Sequence, residues 1–257
     1  MKFDARAGRS LERGYRTPEI AHQRLRTLAA LAPGNGEHVL DVGCGPGFLV
    51  AEMAMQVGPE GRVVGLDNSP DMLELANARC REFPQVTLTD GIIQDIAEAD
   101  GAFDAAACTQ LLLFIEDVPQ ALGELHRVLK PGGRVAVLET DWRGVVLASD
   151  DLLLTRELFD YWDGRAKNPN LPTRLMPMLA AAGFTAPKVE AVPIVNTSFT
   201  KDNFSNGFIR GLARKATEDG AIDEATAKDW VAEMRRRDAD GGYFFCVNRF
   251  LFSAVKV

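Results

Sequence analysis

The chain has 257 residues, long enough for one large α/β domain with a substantial core, and its 46% hydrophobic and 25% charged content is ordinary for a soluble globular protein. No apolar run approaches the ~20 residues of a membrane-spanning helix, and a net charge of −7 lacks the basic face of a protein that neutralises phosphates. Neither a membrane nor a nucleic-acid partner is therefore expected.

In chain order, residues 1–16 are polar, and residues 1–26 carry seven Lys/Arg against three acids. Interspersed acids and the lack of a cleavable apolar core speak against a targeting segment. A solvated or ligand-covering helix is the better reading. Thr17-Pro18-Glu19 is a helix start, with a capping hydroxyl, Pro at the first helical position and an acid in the first turn. Ala21, Leu25, Leu28 and Leu31 recur at helical spacing and predict the buried face; Pro33-Gly34-Asn35-Gly36 ends the helix. Next comes Val39-Leu-Asp-Val-Gly-Cys-Gly-Pro-Gly-Phe48, an apolar strand that stops at Asp41 and runs into Gly43, Gly45 and Gly47. Glycines spaced two apart leave no Cβ between backbone and ligand, and a helix from Phe48 aims free N–H groups at the same place. The alternative is a strand-to-helix turn with no ligand.

The spacing selects among ligands. G-x-G-x-x-G would put its third glycine where Phe48 stands, and a Walker loop needs Lys then Ser or Thr where Phe48-Leu49 stands. Twenty residues after Gly47, Val63-Val64-Gly65-Leu66 ends in Asp67, an acid placed to accept hydrogen bonds from a ribose diol. Beyond it, strands and helices alternate: strand 38–42, helix 48–57, strand 62–66, helix 70–82, strands 86–90 and 103–109, helix 117–129, strand 134–139. This is the pattern of a parallel sheet covered on both faces, with Asp41, Asp67, Asp90 and Gln110 converging on the strand C-terminal edge. Residues 142–170 show no clear period. Leu171–Ala182 predicts a helix, Lys188–Ser198 a strand, 201–240 charged helix and Tyr243–Val257 an aromatic strand. Cys44, Cys80, Cys108 and Cys246 form no C-x-x-C pair; they read as core thiols with no metal, in keeping with a reducing cytoplasm.

V-L-D-V-G-C-G-P-G, then V-V-G-L-D-N-S-P-D-M-L, Phe103-Asp104 and Leu129-Lys130-Pro131-Gly132-Gly133 resemble the cofactor half of class I S-adenosylmethionine-dependent methyltransferases over residues 37–140, in particular the quinone-type enzymes. The resemblance implies a Rossmann-like, seven-stranded, mostly parallel sheet of order 3-2-1-4-5-7-6 with helices on both faces. It also implies one domain: an N-terminal lid or helix (1–36), a cofactor half (37–140) and a substrate half (141–257). The forty or so residues before the last strand depart from the short connection of the family, and 201–240 is expected to form a helical cap. By the same resemblance Gly43, Cys44, Gly45 and Gly47 line the methionine portion, together with Gln110, and Asp41 ends the strand before them. Asp67 takes the ribose, Asp90 and Gly91 meet the adenine, and Asn68, Met72 and Ile92 pack around the nucleoside. Met72 shares a helix face with Leu75 and Ala76 and is equally readable as core.

The acceptor implied is a small apolar or aromatic molecule. Asp141 and Trp142 are its best-placed neighbours, with a turn-capping acid beside a buried indole as the alternative. Trp162, Phe204 and Phe208 supply a pocket from the cap. Tyr15 or Arg16 is expected to reach the cofactor carboxylate from a segment, residues 8–20, that orders over it; a permanently docked arm is the alternative. None of His22, His38 and His126 is placed as a base, and Arg235-Arg236-Arg237 reads as a solvated helix face. The leading function is methyl transfer from S-adenosylmethionine in the cytoplasm; the alternative is a non-catalytic cofactor-binding or partner-binding protein on the same fold.

Overall fold

The computed structural model describes residues 12–257. Five parallel strands form its centre: β1 (His38–Val42), β2 (Arg62–Asp67), β3 (Val86–Asp90), β4 (Phe103–Thr109) and β5 (Leu129–Thr140), ordered β3-β2-β1-β4-β5. β8 (Phe245–Lys256) runs antiparallel to β5, and β7 (Phe184–Asn196) runs antiparallel to β8 along its other edge. With β7 and β8 as the sixth and seventh strands of the family plan, this is the predicted 3-2-1-4-5-7-6 order. An eighth strand is added: β6 (Val146–Leu147) pairs with Phe245 and Cys246, continuing the edge of β8 that β5 leaves at Thr140.

Helices α1 (Pro18–Leu31), α2 (Phe48–Val57) and α3 (Pro70–Cys80) precede or follow the first strands, α4 (Val118–Val128) enters β5, and α6 (Pro172–Ala181) enters β7. On one face the sheet meets α4 and α6 through Leu122, Leu125, Leu175 and Leu179; on the other it meets α1 and α2 through Leu31, Val50 and Met53. Residues 142–170, without period in the sequence, hold a 3-10 turn at Trp142–Gly144, then β6 and helix α5 (Leu152–Asp163). α5 begins with Asp151, whose carboxylate caps it by accepting from Leu154 N–H. The expected cap at 201–240 is two helices, α7 (Phe204–Glu218) and α8 (Glu224–Ala239), each with an Asn or Asp cap, at Asn203 and Asp223. Of the three adjacent arginines, Arg236 and Arg237 pair with Asp150 and Arg237 also with Glu233 at 2.7 Å, so part of that face is tied to the loop before α5.

The buried face of α1 differs from expectation. Leu25 is 61% exposed, and the face turned inward carries Ile20, Gln23, Arg24, Thr27 and Leu31. The reason is electrostatic: the sheet side offers polar partners. Arg24 donates to Glu52 (2.8 Å) and to the Tyr15 carbonyl (2.7 Å), and Gln23 accepts from Arg249. Hydrophobic periodicity therefore finds Leu31, and Leu28 beside it, but misplaces Leu25 and misses the polar residues of the buried face.

Trp230 of α8 is 2% exposed, and its indole N–H donates to Thr155 of α5 at 3.0 Å. Replacing it by Ala should lower the unfolding free energy by about 3–5 kcal/mol, the usual cost of deleting a buried large aromatic. Urea denaturation measures this; a loss below about 1 kcal/mol would mean that α5 and α8 do not share in the cooperative unit.

Candidate ligand site at the strand C-terminal edge

β1 is buried between β2 and β4, and its end turns into α2 through Gly43, Gly45 and Gly47, at φ 71°, 52° and 76°. These left-handed values favour glycine, and the packing removes any choice. A Cβ at Gly47 would lie 2.9 Å from the Ala76 backbone, and one at Gly43 3.0 Å from a Leu111 methyl. The loop is tied to β2 twice. Gly43 and Cys44 N–H donate to the Leu66 carbonyl (2.7 and 3.0 Å), and the Asp67 carboxylate accepts from Gly45 N–H (2.8 Å) and Ser69 N–H (2.9 Å).

A cleft of about 190 Å³ opens beside this turn. Among its lining residues are Gly43, Asp67, Asn68, Gly91 and Ile92, all sequence-predicted, and Leu111 and Ile115, which the prediction missed. Both missed residues belong to the Leu-Leu-Leu-Phe-Ile run just past β4, and its place after a strand end beside the glycine turn was the available signal. Other predicted residues lie around the cleft and do not line it. Asp90 is exposed at the tip of edge strand β3, in register with Asp67. Met72 is buried on α3 near the glycine turn's neighbour Ala76, and Cys44 is buried with its thiol pKa pushed up by desolvation. Gln110 (φ 56°) donates from its backbone N–H to the Leu138 carbonyl at 2.8 Å, and its Oε1 accepts from the Thr140 hydroxyl at 2.6 Å.

Asp41 is 2% exposed, and its Oδ1 has no hydrogen-bond partner among the described residues. Burial raises its pKa, and the Asp67 and Glu52 carboxylates add to the effect. Above the turn, the Tyr15 ring stacks on Phe48 (5.9 Å, 3°), with its hydroxyl 3.3 Å from where a Gly45 Cβ would stand. Burial pushes the phenol pKa up to about 12. Arg79 lies 3.3 Å from the centre of the Phe48 ring, donates to the Pro46 carbonyl at 2.8 Å and pairs with Glu12 at 2.9 Å, so residues 12–16 are fastened onto the loop. Residues 8–11 of the expected cover lie outside the described residues.

Just past β5, the Asp141 carboxylate accepts from Arg143 N–H (3.2 Å) and Nε (2.9 Å) and caps the 3-10 turn. Trp142 stacks on Phe208 (4.6 Å, 15°) and meets Trp162 edge-on (5.9 Å, 80°). Phe159, Phe204 and Phe245 complete this aromatic cluster around Phe208. Two buried charged residues were missed. Glu139, near the end of β5, accepts from Leu111 N–H (3.0 Å) and Leu112 N–H (2.7 Å), and its Oε2 has no partner among the described residues. Arg249 lies in β8 opposite Thr140. An acid inside Val-Leu-Glu-Thr and an arginine inside Val-Asn-Arg-Phe-Leu were the signals, since charge in an apolar strand is costly unless something uses it. Among the described residues no group of three His, Cys, Asp or Glu could hold a metal.

The model of the methyltransferase domain family matches residues 33–183. The chain belongs to that family. The chain is 33% identical over 231 residues to an uncharacterised 37.1 kDa transposon protein of Streptomyces fradiae, covering 88% of this chain and 65% of that one. It is 40% identical over 107 residues to the demethylmenaquinone methyltransferase of Symbiobacterium thermophilum, covering 40% and 43%. The chain thus spans less than two thirds of either relative. In fold it is similar to phosphoethanolamine N-methyltransferase 2 of Haemonchus contortus, solved with S-adenosylhomocysteine, at a TM-score of 0.63 and 20% identity over 97% of this chain and 57% of that one.

Glu139 makes this site pH-sensitive. Burial pushes its pKa up from 4.5 to about 8, so the folded chain keeps a proton that the unfolded chain releases. The resulting stabilisation is full below pH 4.5 and is lost as pH rises through about 8. Glu139→Gln, which still accepts from both N–H groups, should match the parent near pH 5 and exceed it at pH 9 by on the order of a few kcal/mol. Urea midpoints at the two pH values read this; equal differences at both would place the charge of Glu139 elsewhere.

Proposed function

We propose that the chain binds S-adenosylmethionine at the glycine turn and transfers its methyl group to a small apolar or aromatic molecule. The observation that carries this reading is the cradle: backbone stripped of side chains at Gly43, Gly45 and Gly47, with Asp67 at the tip of the neighbouring strand. The residues suit that cofactor. A Cβ at Gly43 or Gly47 would crowd Leu111 or Ala76, and Asp67 has no cationic partner among the described residues, so a positively charged ligand is matched in sign. After bonding Gly45 and Ser69, the Asp67 oxygens retain lone pairs for a ribose diol. Asn68, Gly91 and Ile92 flank the nucleoside, with Asp90 at its outer edge and Met72 supporting the wall from behind. Cys44 and Gln110 stand at the methionine end.

Bound there, the cofactor supplies a methyl carbon already activated by a sulfonium leaving group. The protein's task is positioning and exclusion of water, and alignment alone can supply up to roughly 7–11 kcal/mol. Tyr15 and Leu111 wall the two sides of the turn for this purpose. Residues 12–36 then act as cover, 37–140 as the cofactor half and 141–257 as the acceptor half. The rings of Trp142, Trp162, Phe204 and Phe208, together with a relative named for a quinone substrate, support an apolar aromatic acceptor.

A second reading, cofactor binding without turnover, has one observation in its favour: among the described residues, Tyr15, Glu139 and His126 are not set up as a base. The Tyr15 phenol is held near 12, Glu139 is engaged through Oε1 by two backbone N–H groups, and His126 of α4 packs edge-on against Phe184. Calorimetry with S-adenosylmethionine and S-adenosylhomocysteine tests the shared part, since folded protein that binds neither ends both readings. Asp67→Ala should weaken binding by about 1–3 kcal/mol; unchanged affinity would put the ribose elsewhere. Release of S-adenosylhomocysteine in an acceptor screen separates the two readings.

A further inference from the structure

Arg249 stands out among the buried charges. It is 6% exposed, its Nε has no hydrogen-bond partner and no carboxylate lies within salt-bridge distance of it among the described residues. One guanidinium N–H group donates to Gln23, and the guanidinium lies 5.1 Å from the centre of the Phe204 ring. A neutral amide and a π-face are weak compensation for a cation withdrawn from water.

The nearest acidic groups do not supply the missing charge. Glu139 and Tyr15 both face Arg249 electrostatically, but Glu139 holds its proton up to about pH 8 and Tyr15 up to about pH 12. Burial lowers the arginine's own pKa only to about 10, so it remains cationic at neutral pH. An uncompensated cation thus lies among Phe204, Thr140 and Tyr15.

β8 is separated from β1 by β4 and β5, so three strand spacings, about 14 Å, lie between the backbone of Arg249 and that of the strand that carries the glycine turn. Phe204, by contrast, stacks on Phe208, which stacks on Trp142. Tyr15 packs against the hydrophobic cluster that contains these rings while its hydroxyl reaches Gly45, and so marks the junction of donor and acceptor ends.

We infer that Arg249 is an anion-binding residue of the acceptor site, and that the methyl acceptor is an aromatic or otherwise apolar body bearing an acidic oxygen, a carboxylate or a phenolate. The inference rests on the methyltransferase reading and narrows it. The aromatic cluster takes the body, the guanidinium takes the charge, and Gln23 gives up its place as hydrogen-bond partner when the anion enters. The same chemistry is offered by the carboxylate of the methionine portion of the donor, and the position of the guanidinium over the Phe204 ring favours the acceptor as its source.

The test uses the full chain saturated with S-adenosylhomocysteine, titrated with 2-naphthoate and with its uncharged counterpart 2-naphthamide, and read by tryptophan fluorescence. The expected result is a preference for naphthoate of at least about tenfold, the range of a hydrogen bond to a charged group. Arg249→Gln should abolish the preference and leave S-adenosylhomocysteine affinity and far-UV circular dichroism unchanged, while Arg249→Lys should keep part of it. Equal binding of the two probes, binding of neither, or a preference that survives Arg249→Gln overturns the inference. So does a variant that loses S-adenosylhomocysteine and keeps naphthoate, which would assign the cation to the donor. The comparison of the two probes on the parent chain stands even if Arg249→Gln fails to fold. Failure of the parent to bind S-adenosylhomocysteine would instead remove the methyltransferase reading.

Discussion

One carboxylate fixes the geometry on which the candidate site depends. Asp67 bonds the backbone on both sides of the crevice, Gly45 on the turn after β1 and Ser69 at the start of α3. It thereby sets how far apart two strand ends stand. Because the turn between them must pass Ala76 and Leu111 with no room for Cβ atoms, loop and neighbours form one close-packed unit. The proposed ribose contact and the structural clamp are the same side chain.

The polar underside of α1 and Arg249 of β8 make a second unit. Arg24, Gln23, Glu52 and Arg249 are withdrawn from water between helix and sheet, where apolar residues would have packed at less cost. That arrangement holds the segment with Tyr15 across the glycine turn through a hydrogen bond from Arg24 to the Tyr15 carbonyl. Above it, Phe208 touches five other rings, so the region proposed for the acceptor is shaped by aromatic packing that continues the core of the α5, α7 and α8 layer.

Much of this was legible in the sequence where one residue type has one physical use. Asp41 and Asp67 close apolar runs, three alternate glycines can only be a turn under crowding, and continuous Val, Ala and Leu in β1, β2 and β4 announce strands buried on both faces. The strand order followed from the family resemblance. What escaped reading has a common cause. Leu25 looked like core because period was the only guide, yet α1 turns its polar residues inward to meet charges that are more than two hundred residues away in the case of Arg249. Helix α5 was hidden because Leu152 and Leu153 are exposed and blur its apolar stripe. Asp141 and Trp142 were read as a pair, but one caps its own turn and the other enters the aromatic cluster, because neighbouring residues at a strand end diverge.

β7 carries a last consequence. It is thirteen residues long and forms one border of the sheet, and Val189 and Val195 are exposed along it. A bare strand of that length invites another chain to pair with it. Pro187 and Pro193 withhold two N–H donors, the register with β8 slips between Thr185 and Lys188, where Ala186 takes φ 48°, and Lys188 and Glu190 add charge. The strand is therefore a poor template for a neighbour, and the sheet ends at β7 without a helix having to cover that border.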